Sequence, residues 1–176
     1  MDLLALAKAH IAAENIQDLD ATMDTVAHEG VLYDVHPTHK KITSWDAIRE
    51  LYADAYEAIP DMHIELKNAV VDEAKRQVFV QYTHTGINRG SLQGMAQSNK
   101  PVTYEGAILY GFNESGKLIL ESPYFDKFDV LVSMGLVRDP NTTLGLFLLL
   151  LPQSPFFLIK TILYNLFKKK KKQTSG

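Results

Sequence analysis

Asp126 is well placed for proton chemistry. It follows the run Glu121-Ser-Pro-Tyr-Phe, which reads as a strand. Side chains alternate along a strand, so Ser122, Tyr124 and Asp126 share one face. If that face looks into an apolar interior, desolvation raises the carboxyl pKa and makes Asp126 a usable general acid or base near neutral pH. The same position also suits an N-cap for a helix beginning at Lys127. His36 closes an earlier strand, Val31 to His36, and shares a face with Asp34. An imidazole there could pass a proton or hold a substrate oxygen, or lie on the surface ahead of the turn at Pro37.

Tyrosines and a second histidine accompany these two. Tyr82 and His84 share a strand face with Val78 and Val80, and Tyr104 and Tyr110 share one with Gly106 and Ile108. A phenol in a dry site donates to an enolate oxygen; on an apolar strand face it also packs in a core with its hydroxyl at the edge. Tyr52 and Tyr56 lie four apart on a helix, facing the same way, with Tyr56 nearer the open end of a pocket. The expected catalytic pair is therefore Asp126 and His36, with Tyr56, Tyr82, His84, Tyr104, Tyr110 and Tyr124 lining a pocket. Glu105 lies opposite Tyr104 and becomes a second carboxylate only if the register slips by one residue.

Several chemistries lack their residues. Without cysteine there is no thiolate nucleophile, disulfide framework or sulfur-ligated zinc site. His36-Pro-Thr-His39 offers two histidines and no further ligand at a matching spacing, so no metal is expected. No phosphate-binding glycine loop, Gly-x-Ser-x-Gly elbow or His-Glu-x-x-His occurs, so no cofactor is expected.

The elements that must position these residues follow from periodicity. Asp2 caps a helix through Leu3, Leu6, Ala7, His10 and Ile11, and Asp18 caps a short second one that Gly30 ends. Thr43-Ser-Trp-Asp46 opens a long helix with Ile48, Leu51, Tyr52, Ala55, Tyr56 and Ile59 on one face, stopped by Pro60. Strands are expected over 62–72, 77–87, 102–112 and 117–124, with a last short helix from Lys127 to Met134. Helices first and an antiparallel meander after them define an α+β fold, a curved sheet wrapped around the long helix. Its mouth is a natural place for a small ligand.

At this level the sequence resembles the SnoaL-like polyketide cyclases. The resemblance rests on Glu14-Asn-Ile-Gln-Asp-Leu-Asp20, on Ser44-Trp-Asp-Ala-Ile-Arg-Glu-Leu-Tyr52 running into Ile59-Pro-Asp-Met62, on Gly106, and on Glu121-Ser-Pro-Tyr-Phe-Asp126 followed by Phe128, Leu131 and Met134-Gly-Leu136. It covers residues 3 to 137. It implies the cone fold shared with nuclear transport factor 2, ketosteroid isomerases, scytalone dehydratase and limonene epoxide hydrolase. It also implies an acidic residue near the end of the last long strand, matched here by Asp126, and a homodimer formed through the outer sheet face. Two functions fit: a cofactor-free cyclase or isomerase acting on a small hydrophobic carbonyl compound such as a polyketide, terpenoid or steroid-like molecule, or a ligand-binding or assembly module that keeps the cavity without a reaction.

Charge divides the 176 residues unevenly. Residues 1–138 carry 12 basic and 20 acidic side chains, a net -8, and residues 139–176 carry a net +5. An acidic body argues against nucleic-acid binding, which needs basic residues striped over the folded domain. No signal peptide is visible, so an intracellular chain is expected, not a secreted one. The division predicts a domain over 1–138 and a tail over 139–176. No charge occurs between Asp139 and Lys160, and Leu144 to Leu151 is almost wholly aliphatic. Eight helical residues span only about 12 Å, whereas a crossing needs about 20 apolar residues, and Pro152 and Pro155 interrupt the run. From Phe156 onward Ile159, Ile162, Leu163 and Leu166 fall on one helical face, and Lys160, Thr161, Tyr164, Asn165 and Lys168 on the other. This is the pattern of a helix lying in a membrane interface, or of one whose apolar face covers the cone's mouth or a dimer partner while the lysines keep it soluble. Leu146 and Phe147 add apolar contact, and Lys168, Lys169 and Lys170 begin a lysine run suited to anionic lipid.

Overall fold

The computed structural model describes residues 1–91 and 97–150. Helix α1 (Leu3–Asn15) begins at Asp2, whose carboxylate accepts the Ala5 N–H at 3.0 Å, and buries Leu3, Ala7, His10, Ile11 and Glu14. Helix α2 (Leu19–Asp24) is capped in the same way by Asp18. These oxygens satisfy backbone donors that a helix start leaves unpaired. Strands β1 (Leu32–Val35) and β2 (Lys40–Ile42) flank a single 3₁₀ turn at His36–Thr38. Helix α3 (Trp45–Ala58), capped by Ser44, precedes four strands: β3 (His63–Asp72), β4 (Gln77–Ile87), β5 (Pro101–Phe112) and β6 (Leu118–Phe125). Helices α4 (Lys127–Ser133) and α5 (Thr143–Leu150) follow.

The six strands form one curved, unclosed sheet in the order β2-β1-β6-β5-β4-β3. Every pairing is antiparallel except β1 with β6, which run parallel. This is the expected α+β architecture. The sequence reading did not anticipate β2, because Lys40-Lys-Ile42 is too short and too exposed to show an alternating apolar face. Strand alternation places Val78, Val80, Tyr82, Ile108 and Tyr110 in one core with Ile48, Tyr52 and Tyr56 of α3 and Ile59 at its C-cap. Asn15 fastens the end of α1 to β3: its side chain donates to the Ile64 carbonyl at 2.9 Å and accepts the Ile64 N–H at 2.6 Å.

The chain divides into two units, Met1–Leu136 and Val137–Gly176. Everything from α1 to α4 belongs to the first. In the second, Leu144, Leu146 and Phe147 of α5 are exposed. Among the described residues no helix is long and apolar enough to cross a membrane. The tail positions Phe156, Ile159, Ile162, Leu163, Leu166, Lys168, Lys169 and Lys170 lie outside the described residues.

Gly106 joins fold to site. It pairs with Tyr82 on one side and Phe125 on the other. A Cβ at Gly106 would lie 2.6 Å from the Tyr82 hydroxyl and 2.9 Å from the Tyr124 carbonyl oxygen. The Tyr82 ring therefore lies across bare backbone. Overpacking of this kind typically costs about 1–3 kcal/mol. Urea unfolding of Gly106→Ala should show a loss of that size at an unchanged m-value; an unchanged midpoint would mean that the ring has room to move.

Candidate active site

Cross-strand register decides which residues face the interior. Tyr110 pairs with Glu121, Ile108 with Pro123 and Gly106 with Phe125. On β4 the inward set is Val78, Val80, Tyr82 and His84, and on β6 it is Glu121, Pro123 and Phe125. The face shared by Ser122 and Tyr124 is therefore the outer one, which corrects the expected placement of Asp126. Asp126 is exposed, and its carboxylate accepts the Phe128 N–H at 2.7 Å as the cap of α4. His36 lies on the same outer side: its Nε2 is 3.1 Å from Ser122 Oγ, and its ring stacks on Tyr124 with centroids 4.1 Å apart. Tyr124 is 44% exposed.

The interior holds a cavity of about 200 Å³. Leu51 and Ala55 of α3 and Ile59 at its C-cap form one wall, and Val130 and Leu131 of α4 form part of another. Tyr82, His84 and Tyr104 line it as expected from their strand faces. Tyr56 and Tyr110 are buried in the core beside it, and the Tyr56 hydroxyl is 2.8 Å from Thr22 Oγ1. The cavity's carboxylates are Glu14 and Glu121, which line it with Tyr33 and Tyr52.

Behind the two carboxylates His10 is fully buried, and its hydrogen bonds fix where the protons sit. Thr25 spends its hydroxyl proton on the Thr22 carbonyl at 2.6 Å, so its oxygen accepts from His10 Nδ1–H, also at 2.6 Å. Tyr52 donates to Glu121 Oε2 at 2.8 Å, and Tyr33 then donates to the Tyr52 oxygen at 2.7 Å. His10 Nε2 faces acceptors alone: the Tyr52 oxygen at 3.0 Å, Glu121 Oε2 at 3.3 Å and Glu14 Oε1 at 3.7 Å. The bonding pattern is that of an imidazolium.

Electrostatics agree with that assignment. Burial opposes the charge on His10, yet the Glu14 and Glu121 carboxylates outweigh it and raise its pKa above the ordinary imidazole value. Burial pushes the Glu14 carboxyl up to about 7, with Glu121 adding to the rise and His10 opposing it. Glu14 Oε2 is buried without a hydrogen-bond partner, as suits a carboxyl that is neutral part of the time. His10 as a cation, Glu121 as an anion and Glu14 neutral make a buried cluster with no net charge. Burial, then the Glu121 charge, hold the Tyr33 hydroxyl well above the usual tyrosine range, and the same two causes do so for Tyr52, so both phenols stay protonated donors. Across the cavity, burial and the nearby His63 lower His84 to about 4, so its ring is neutral; it stacks on Tyr104 with centroids 4.8 Å apart.

His10, Glu14 and Glu121 each offer an atom within 4.8 Å of the others, so they are also the described residues that could converge on a cation. A metal would have to take His10 Nε2 and Glu121 Oε2 from each other and from Tyr52. The geometry fits a shared-proton network better than a ligand set.

Sequence reasoning missed three of these roles. His10 stood in the apolar face of α1 with Leu3, Ala7 and Ile11, and Glu14 lies one turn beyond it; a histidine and a glutamate four apart on a buried face were the available signal. Glu121 was visible, but its direction required the register of β6 against β5.

The chain belongs to the SnoaL-like polyketide cyclase family, whose model matches residues 4–132. No curated protein matches the sequence. Among solved structures it is similar to AclR from Streptomyces galilaeus, described as a candidate hydroxylase (17% identity, TM-score 0.68, covering 98% of this chain and 96% of that one). It is also similar to a candidate SnoaL-like cyclase from Jannaschia sp. CCS1 (18%, TM-score 0.67, 75% and 90%). An epoxide hydrolase of M. tuberculosis, described as LEH-like, shares 14% identity at a TM-score of 0.61, covering 86% and 96%. At these identities the likeness establishes the shared cone fold.

The raised pKa of Glu14 has a signed consequence for stability. A carboxyl that ionises near 4.5 when unfolded and near 7 when folded binds its proton more tightly in the native state. Its contribution is complete below the unfolded value and is lost as pH rises through the folded one. Glu14→Gln cannot titrate. Between about pH 4.5 and 7, the Tm of the unsubstituted protein should fall relative to that of Glu14→Gln; parallel profiles would contradict the shift.

Proposed function

We propose that the chain is a cyclase- or isomerase-type enzyme that moves a proton on a small apolar carbonyl compound, using its own carboxylates and no cofactor. The observation that carries this is the pair Glu14 and Glu121 lining an apolar cavity, where burial raises the Glu14 pKa to about 7. A group with a pKa near the working pH can both take and return a proton. In its ionised form Glu14 removes a proton from the carbon beside the carbonyl, and the C–H electrons move into the carbonyl to give an enolate. Tyr82 and Tyr104 are the cavity phenols that could donate to that oxygen; burial raises both pKa values, so both keep their protons. Where a carbon–carbon double bond is conjugated with the enolate, the resulting dienolate takes the proton back from Glu14 at its far carbon, which is isomerisation; where a second carbonyl is in reach, the enolate carbon attacks it, which is ring closure, and the new alkoxide takes the proton that Glu14 holds. His10 does not line the cavity. It is a positioning residue whose Nε2 lies 3.3 Å from Glu121 Oε2, beside Glu14. Family membership supports the cyclase or isomerase class.

Size narrows the substrate. A cavity of 150 Å³ holds benzene, so about 200 Å³ suits one substituted ring, with any further ring extending through the mouth.

The test needs no known substrate. Single-ring ketones are incubated in D₂O with the protein, and exchange of the hydrogens beside the carbonyl is followed by NMR. Exchange above buffer is expected for at least one ketone, falling at least about 100-fold in Glu14→Gln. Asp126→Asn keeps a good cap and should exchange normally; loss of exchange there would return the catalytic role to Asp126. Ketones that bind in the cavity without exchanging would show a binding module instead.

A further inference from the structure

We propose that the segment from Thr143 through Lys172 is an interfacial anchor that docks the protein on an anionic lipid bilayer. The inference is independent of the chemistry assigned to the cavity.

Helix α5 is Thr-Leu-Gly-Leu-Phe-Leu-Leu-Leu, with no charge and no polar side chain after its first residue. Leu144, Leu146 and Phe147 are 56%, 49% and 49% exposed. Single exposed leucines are ordinary, whereas three large apolar side chains exposed within four residues of an uncharged helix leave it apolar around most of its circumference. The apolar character continues along the sequence as Leu151, Phe156, Phe157, Leu158, Ile159, Ile162, Leu163 and Leu166, broken by Pro152 and Pro155. Lys160 is the one charged residue between Asp139 and Lys168.

Charge selects the occupant. Five consecutive lysines, Lys168 to Lys172, follow the apolar stretch directly. The body up to Arg138 carries a net -8, so an anionic surface repels it and attracts the tail alone. A second copy of this acidic chain offers carboxylates to the lysines, but its exposed apolar side chains, Val70 and Phe79 on the sheet and those of α5, are not joined to a dense anionic surface. A bilayer interface offers both: headgroup charge for the lysines and an acyl boundary for the leucines and phenylalanines. The eight residues of α5 reach only about 12 Å, and Pro152 and Pro155 interrupt the apolar sequence that follows, so the proposal is of interfacial contact and not of a straight crossing.

Full-length protein is mixed with vesicles of phosphatidylcholine, alone or with about one-third phosphatidylserine, and floated through a density gradient at low and at high salt. Lys168 to Lys172 together changed to Gln, and the pair Leu146→Asp with Phe147→Asp, are compared with it, each with the same thermal unfolding of the body. The unsubstituted protein is expected to float with the anionic vesicles and to lose binding at high salt. At about 1 kcal/mol per surface lysine, the five-lysine variant should bind at least about 100-fold more weakly. The aspartate pair should weaken binding at both salt concentrations. Failure to float with either vesicle overturns the proposal, including the case where the protein instead sediments as a larger assembly. Flotation of both variants equal to that of the unsubstituted chain overturns it as well.

Discussion

His10, Glu14 and Glu121 occupy one buried volume, and their protonation states cannot be independent. Two carboxylates and a neutral imidazole would leave two uncompensated negative charges away from water, which is expensive. Placing one proton on Nε2 and a second on Glu14 removes the net charge. The network of Thr22, Thr25, Tyr52 and Tyr33 enforces the first of these, because every hydroxyl around the imidazole already has an acceptor for its own proton. The second proton, on Glu14, is the loosely held one. A group that is undecided between two states at neutral pH, on a cavity wall, is what proton transfer requires.

The rest of the fold serves this arrangement. Helix α1 brings His10 and Glu14 one turn apart on a buried face and is tied at its end to β3 by Asn15. Helix α3 supplies Tyr52, and the parallel pairing of β1 with β6 sets Tyr33 beside Glu121. The pieces come from four elements far apart in sequence, with His10 and Glu121 separated by 111 in residue number. The family shares the cone, and one fold hosts many chemistries; which reaction runs here depends on the side chains that this chain places inside it.

Much of the fold was legible because long strands and capped helices carry strong local signals. Gln77–Ile87 stands where alternation put it, and Asp2, Asp18 and Ser44 cap the helices they precede. The inward faces of β4 and β5 were also readable, since Val78, Val80 and Ile108 mark the apolar side beside Tyr82, His84 and Tyr104. Strand β6 was not. In Leu118-Ile-Leu-Glu-Ser-Pro-Tyr-Phe125 both faces carry apolar and polar residues, so parity alone left the inward side open. The pairing of Tyr110 with Glu121 resolves it, and that is a tertiary fact. The family's acidic position drew the reading to Asp126, one residue off the inward parity and already engaged as a cap.

Burial and the Glu121 charge together raise the Glu14 carboxyl to about 7. Carbon-13 NMR of the glutamate carboxyls, with Glu14 assigned by comparison with Glu14→Gln, measures this directly. A Glu14 midpoint near 7 is expected, moving down in Glu121→Gln as the second negative charge is removed. A midpoint in the ordinary carboxylate range, or one that Glu121→Gln leaves in place, would contradict it.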